Sequence, residues 1–229
     1  MAMRQILIIM GLSMSGWLCH LPQPAAAADS VWHQQTVMFL GTSLDREHHP
    51  IGVVAKLHIA FRKRDRQDTL NVSFSNGPGK FSPLTQVATQ SGIKSAARAA
   101  GLDSKNWDVF LTFPYPGVTI YGESLSAMVS LAVLAMANED PILLSRVITG
   151  KITQDGHIGA VGGIPLKIQA AYAEHIRRVI IPDERFQEDS DWQTPFLMHI
   201  SPVQTVLQAY RLLTGRALSV TEKTNQSHG

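Results

Sequence analysis

The sequence reads Tyr121-Gly122-Glu123-Ser124-Leu125-Ser126 and then AMVSLAVLAMAN over residues 127–138, a run that is apolar at almost every position. A helix that is apolar on all its faces is a buried one, so we predict a helix over 122–138 in the centre of the core. Ser124 then lies in the first turn, beside backbone N–H groups that could stabilise an oxyanion. The alternative is that Ser124 or Ser126 merely caps the helix, and this segment alone favours capping.

The rest of the chain predicts strands first and then alternating helices and strands. Residues 51–62 alternate clearly, with apolar side chains at every second position from Val53 to Phe61 on one face. Predicted strands cover 36–41, 51–62, 69–75, 107–113, 145–154, 178–181 and 198–200, and predicted helices cover 82–100, 122–138, 164–175 and 202–213. No linker or repeat divides them. We therefore expect a mixed α/β fold (α+β), with mixed sheets and packed helices in a single domain over 29–229.

Residues 1–28 have the pattern of a signal peptide. Arg4 supplies a positive start, residues 6–19 form an apolar segment of 14 residues, and the alanines at 25–28 provide a small-residue cleavage site. The apolar segment is shorter than the roughly 20 residues that cross a bilayer, so we expect cleavage after Ala28 and no stable membrane span. The mature chain is predicted to be exported, periplasmic or secreted.

Composition excludes several classes of function. Lys and Arg number 20 against 18 Asp and Glu, which gives no electrostatic reason to expect nucleic acid as a partner. The single cysteine, Cys19, rules out a disulfide framework and a cysteine-rich zinc site. No Walker-type phosphate-binding loop occurs, so we expect activity that needs no ATP. We expect neither cofactor nor metal.

A second segment, Gly162-Gly163-Ile164-Pro165-Leu166-Lys167-Ile168, predicts another helix start. Pro165 suits a first helical position, which puts Lys167 in the first turn. The positive end of the helix dipole and the apolar neighbours both disfavour an ammonium there, which lowers the pKa. A neutral lysine can act as general base for a serine, although a surface lysine that snorkels is the commoner reading of such a position.

Three collinear segments, Gly122-Glu123-Ser124, residues 147–153 and Gly162 to Lys167, together resemble the proteolytic domain of Lon proteases. Lys167 follows Ser124 by 43 positions, as the family pattern requires, and the resemblance is strongest over 107–215. It implies that Ser124 attacks the peptide carbonyl, that Lys167 takes and returns the proton, and that Thr149 orients the lysine. Backbone N–H groups over Gly122, Glu123 and Ser124 would hold the oxyanion.

The resemblance also implies partners. We expect an ATP-independent serine endopeptidase acting on flexible or unfolded polypeptides, and, by resemblance alone, a homo-oligomer such as a hexameric ring.

Leu125 and Ser126 replace the small residues after the family's nucleophile, and Tyr121 replaces an acidic residue. These departures favour the alternative, a catalytically weak or inactive domain that acts as a binding or scaffold protein. Lys151 replaces a glutamate, and if it lies close to Lys167 it would lower the pKa of that lysine further.

Three remaining features have simpler interpretations. His48 and His49, with Asp45 and Glu47 nearby, suggest either a metal site or a polar surface turn, and Pro50 favours the turn. His157 follows Asp155-Gly156 and is expected in a turn. The charged run over 62–66 is expected at the solvated tip of a hairpin.

Overall fold

The computed structural model describes residues 31–65 and 68–218. The predicted signal peptide over 1–28, including Cys19, lies outside the described residues, and so does Arg66 of the charged run. The predicted mixed α/β class is confirmed: the described residues form several sheets and four helices.

The strands and helices follow the predicted order closely. The longer strands are β1 (His33–Leu44), β2 (Pro50–Lys63), β3 (Asn71–Phe74), β5 (Trp107–Thr112), β7 (Arg146–Ile148), β10 (Arg178–Pro182) and β11 (His199–Val203). Two-residue strands are β4 (Lys80–Phe81), β6 (Thr119–Ile120), β8 (Lys151–Ile152) and β9 (Ile158–Gly159). The helices are α1 (Pro83–Ala99), α2 (Leu125–Ala137), α3 (Ile164–Ala173) and α4 (Val206–Thr214).

The strands are divided between two larger sheets and two small ones. The first sheet has the order β1-β2-β5-β3, in which only the β3–β5 pair is parallel. The second, β11-β10-β7, is parallel throughout. Strand β4 pairs with β6 in parallel, and β8 pairs with β9 as an antiparallel hairpin.

Helix α2 is buried along almost its whole length, as its apolar sequence predicts: all of its residues except Met136 are buried. Helix α1 crosses it closely at Gly92, where an added Cβ would lie 2.8 Å from Ser130 Oγ and 3.3 Å from Ser126 Cβ. Small residues on both helices therefore permit the crossing. Among the described residues, no helix combines the length and apolarity needed to cross a membrane.

Helix α3 lies on the first sheet, where Gly52 of β2 lets the helix backbone approach. A Cβ at that position would lie 2.0 Å from the carbonyl oxygen of Leu166, a contact that no side chain could accommodate without moving the helix. Pro165 is the second residue of α3, one position later than the predicted first helical position, and Lys167 still follows in the first turn. This close contact fixes the height of the first turn of α3 above the sheet.

Three predicted boundaries were wrong. Helix α2 begins at Leu125 rather than at residue 122, because the backbone of Gly122 is in the left-handed region with φ +85°. The predicted strand over 145–154 is split into β7 and β8 at Gly150, whose φ is +150°. Pro202 belongs to β11, and α4 begins four residues later, behind a Thr205–Gln208 capping box.

The charged run is only partly solvated: Lys63 and Asp65 are exposed, whereas Arg62 and Arg64 pair with a buried carboxylate. Arg62 Nε lies 2.9 Å and Arg64 Nε 3.2 Å from the carboxylate of Asp108, a residue only 4% exposed on β5. Lys63 Nζ donates to the carbonyl of Ala137 at 2.8 Å, at the end of α2. A buried carboxylate needs such partners, so Arg62 and Arg64 support Asp108 within the first sheet, and Lys63 joins that sheet to the end of α2.

Candidate active site

Ser124 is the last residue before α2, and it does not cap the helix. Its backbone is already helical (φ −65°, ψ −16°), whereas a capping residue is normally extended, and its side chain makes no capping hydrogen bond. Ser124 is half-buried. The hydroxyl is therefore not committed to the helix end, which removes the structural reason for a serine that capping would have supplied.

The loop before Ser124 leaves donors free at the helix start. Thr85 Oγ1 donates to the carbonyl of Gly122 at 2.9 Å and so anchors the loop to α1. The amides of Glu123, Ser124 and Leu125 have no hydrogen-bond partner among the described residues. Free amides at the positive end of a helix are suitable donors for an oxyanion.

Leu125 and Ser126 are turned into the core. Both are buried, at 2% and 1% exposure, and Ser126 Oγ accepts a hydrogen bond from the amide of Ile152 at 3.3 Å. The large side chain of Leu125 is thus used in packing. Tyr121, by contrast, is 75% exposed and lies at the surface just before the site.

Gly150 and its neighbours join the nucleophile segment to the β8 hairpin. The amide of Gly150 donates to the carbonyl of Ser124 at 3.4 Å, and its own carbonyl accepts from the amide of Ala127 at 3.2 Å. A side chain at Gly150 would also collide with Ile158 Cγ2 at 2.8 Å. The strand break at Gly150 therefore lets β8 run against the start of α2.

Thr149 precedes that glycine and is completely buried. Its hydroxyl oxygen has no hydrogen-bond partner among the described residues, while its amide donates to the carbonyl of Ile180 at 3.1 Å. Leaving a hydroxyl buried and unpaired costs free energy, and this hydroxyl lies beside the residue that contacts the nucleophile segment.

Lys167 is the buried cation of the site, at 3% exposure. Burial lowers its pKa from 10.5 to about 8, and the carboxylate of Asp189 opposes this change by raising the pKa. Nζ donates to the carbonyl of Gly162 at 2.9 Å. The alternative of a snorkelling surface lysine does not fit this burial, and a lysine with a pKa near 8 can exchange a proton close to neutral pH.

Lys151 does not tune Lys167 in the way that the sequence suggests. Its ammonium lies 3.2 Å from Oε2 of Glu123, and both side chains are about two-fifths exposed. The lowered pKa of Lys167 comes from burial, with no contribution from Lys151. The carboxylate of Glu123 therefore faces Lys151, and it joins the loop before Ser124 to β8.

The structure thus brings together part of the predicted set. Ser124 lies against Gly150, next to Thr149, and Glu123 pairs with Lys151. The recorded hydrogen bond of the Lys167 ammonium goes to Gly162 and not to a hydroxyl of Ser124 or Thr149. Hydrogen bonds between catalytic groups often tighten only when substrate binds, and Ser124 and Lys167 remain a predicted dyad.

The other candidate features are not part of this site. His48 and His49 lie in an exposed turn, where His49 Nδ1 is 3.6 Å from the carboxylates of Asp45 and Glu47. His157 lies next to the β8–β9 turn, 2.9 Å from Asp155. Within residues 31–65 and 68–218, no group of three His, Cys, Asp or Glu side chains is arranged to hold a metal ion.

One residue near Lys167 has no local sequence signal. Asp189 lies in the loop between β10 and β11, and its carboxylate accepts hydrogen bonds from the amides of Gly163 and Ile164 at 2.7 and 3.1 Å. It is one of several acidic residues between positions 183 and 191, and nothing in that segment distinguishes it. Only the tertiary fold brings it to the start of α3.

Comparison with known proteins points to one family of proteases. A model of the Lon protease (S16) C-terminal proteolytic domain matches residues 84–206, which include Ser124, Thr149 and Lys167. An archaeal Lon protease from Methanothermobacter thermautotrophicus is 34% identical over 106 residues, covering 45% of this chain and 16% of that protein. A Lon protease from Ureaplasma parvum is 29% identical over 104 residues, covering 42% and 13%.

A longer match extends further along this chain. An archaeal Lon protease from Thermococcus kodakarensis is 28% identical over 137 residues, which cover 58% of this chain and 21% of that protein. The matched part of this chain thus spans about a fifth or less of the length of these relatives.

Proposed function

Because this chain belongs to the Lon protease (S16) C-terminal proteolytic-domain family, we propose that it hydrolyses peptide bonds with Ser124 as nucleophile and Lys167 as general base. The observation that carries the proposal is the burial of Lys167, which lowers its pKa to about 8 in a first helical turn. A buried lysine without a partner carboxylate in direct contact is costly to the fold, and a base for a serine is a use for it.

The proposed reaction begins with removal of the Ser124 proton by neutral Lys167. The serine oxygen attacks the peptide carbonyl, and the free amides at the start of α2 stabilise the oxyanion that forms. The lysine returns its proton to the leaving amine, and an acyl-enzyme remains on Ser124. The same lysine then removes a proton from water, which attacks the acyl carbonyl; the ester bond breaks, and the lysine returns the proton to the Ser124 oxygen.

We further propose that cleavage needs no ATP, that the substrates are flexible or unfolded polypeptides, and that the protein acts outside the cytoplasm. The first point extends the expectation, stated from the sequence, of activity that needs no ATP. The signal-peptide pattern over 1–28 supports the last. A homo-oligomer, with a hexameric ring as its form, remains a proposal from the family alone.

A test of this function compares two forms of one substrate. Reduced and alkylated α-lactalbumin and the same protein with its disulfides intact are incubated with the purified chain, with and without ATP. We expect cleavage of the unfolded form alone, at the same rate in both conditions. Cleavage that requires ATP would contradict ATP independence. Binding of the unfolded form without any cleavage would favour the alternative of a binding or scaffold protein.

Thr149→Val tests the orienting role of the threonine. The substitution keeps the shape and removes a hydroxyl that has no partner, so we expect stability to stay the same or rise slightly. Turnover should nevertheless fall by about tenfold or more, because the hydroxyl would no longer orient Lys167. Thr89→Val is the matched control, since Thr89 has an equally buried, unpartnered hydroxyl, but on α1. Equal turnover in the two variants would contradict the role of Thr149.

A further inference from the structure

Asp189 caps a helix that cannot cap itself. The residue before α3 is Gly163, which has no side chain and adopts φ +76°. Helix starts leave amides without partners, and here the carboxylate of Asp189 takes two of them, those of Gly163 and Ile164. A carboxylate at this end of a helix is also favoured by the helix dipole.

The same peptide group connects Asp189 with Lys167. The amide N–H of Gly163, which donates to Asp189 Oδ1 at 2.7 Å, and the carbonyl of Gly162, which accepts from Lys167 Nζ at 2.9 Å, belong to the peptide bond between the two glycines. These two groups point in opposite directions from one rigid plane. A carboxylate on the N–H therefore fixes the direction of the carbonyl, and it polarises that carbonyl toward the lysine.

Asp189 also acts on Lys167 through its charge, which raises the pKa of the lysine against the effect of burial. The strands packed against α3 are β1, β2 and β10. Their titratable side chains are His33, Lys56, His58, Arg62, Lys63 and Arg178. None of these six shifts the pKa of Lys167, and Lys151 is paired with Glu123. Among the described residues, Asp189 is thus the charged group that acts on the proposed base.

We propose that Asp189 is a positioning residue, which holds the Lys167 amine in place through the Gly162–Gly163 peptide group. This inference rests on the proposed function, in which Lys167 is the general base. Asp189 does not touch the reacting atoms. It determines where the amine lies and how readily the amine gives up its proton.

The variant to test is Asp189→Asn in the full chain. Asparagine can accept one hydrogen bond, but its NH2 group would face the second amide, so the peptide plane loses half of its support. We expect kcat to fall by about tenfold or more with KM changed by less than about twofold. Activity should rise with pH as Lys167 loses its proton. This rising limb of the pH profile should move to lower pH in the variant, because the charge that raises the pKa of Lys167 is gone. Asp189→Glu should recover part of kcat.

Asp191→Asn is the matched control, since Asp191 lies in the same loop and pairs with Arg185 at the surface at 2.7 Å. It should leave kcat and the pH profile unchanged. A fall in kcat without movement of the rising limb would reduce Asp189 to a structural cap, and an unchanged kcat would overturn the inference outright.

A second measurement does not depend on activity. The titration of Lys167 can be followed by NMR in the chain labelled with ¹³C-lysine, with Lys167→Met used to assign its signal. We expect the midpoint to move to lower pH in Asp189→Asn and to stay in place in Asp191→Asn. If the parent chain cleaves nothing, the proposed function fails, and an unmoved midpoint in Asp189→Asn would still overturn this inference separately.

Discussion

Ser124→Ala is expected to abolish cleavage and leave the fold as stable as before. A nucleophile cannot be replaced by a methyl group, so we expect turnover to fall by at least about a thousandfold. Stability should be unchanged within about 0.5 kcal/mol, because the hydroxyl makes no capping hydrogen bond that the substitution could remove. The measurements are digestion of an unfolded protein and urea denaturation, with parent and variant side by side.

Ser126→Ala is the matched control, since Ser126 lies two positions further along the chain, in the first turn of α2. Its hydroxyl is buried and accepts a hydrogen bond from the amide of Ile152, so its removal leaves that amide unpaired. We expect a loss of about 1–3 kcal/mol in the free energy of unfolding with cleavage retained. Ser124→Ala should therefore lose cleavage and keep its stability, whereas Ser126→Ala should lose stability and keep cleavage.

Two other results for Ser124→Ala would show which assumption is wrong. If Ser124→Ala keeps its activity, the nucleophile lies elsewhere and the proposed mechanism is wrong. If it loses about 1 kcal/mol of stability and no activity, Ser124 acts as a helix cap in solution.

The sequence predicted the parts of this site that depend on local signals. An all-round apolar run predicts a buried helix whatever surrounds it, and α2 is buried as expected. Pro165 in a first turn places Lys167 in the same turn, and that was enough to predict its lowered pKa. The causes suggested for the lowered pKa were only partly right, because burial lowers it whereas Lys151 contributes nothing.

The parts that the sequence did not predict depend on contacts between distant segments. Asp189 reaches the start of α3 from a loop more than 20 residues later, and no periodicity marks it. Asp108 alternates with Trp107 and Val109 in β5, so it reads as a solvent-facing residue, yet Arg62 and Arg64 enclose it. A charged run and a lone carboxylate look solvated until the fold brings them together.

The second large effect is expected from Lys167→Met, which should remove activity and change the pH dependence of stability. Methionine has a similar length and no charge, so packing is kept while the proposed base is lost. We expect turnover to fall to within about tenfold of the level in Ser124→Ala, because the two residues act as a unit. In the parent, cleavage should rise with pH through about 8, where Lys167 becomes neutral, and then level off.

The stability effect follows from proton linkage. The pKa of Lys167 is about 8 in the folded chain and 10.5 without the fold, so the unfolded state binds the proton more strongly. Below pH 8 this difference costs the fold about 3 kcal/mol, and the cost disappears as the pH rises from about 8 to 10.5. The free energy of unfolding of the parent should therefore gain about 3 kcal/mol over that range relative to Lys167→Met.

This difference between parent and variant is the quantity to measure, because other groups that titrate in the same range are common to both. Tyr210, whose pKa is raised by burial and by its hydrogen bond to Asp140, is also present in both chains, so its contribution cancels in the difference. Lys94→Met, on the exposed side of α1, is the matched control and should reproduce both the stability curve and the activity of the parent. At pH 7 the variant is spared the cost of burying the ammonium, which raises its free energy of unfolding. This gain is partly offset, because the carbonyl of Gly162 loses its donor. If Lys167→Met is inactive and its stability follows the same pH dependence as the parent, the lysine is charged and solvated in the folded protein, and its role as a base is wrong.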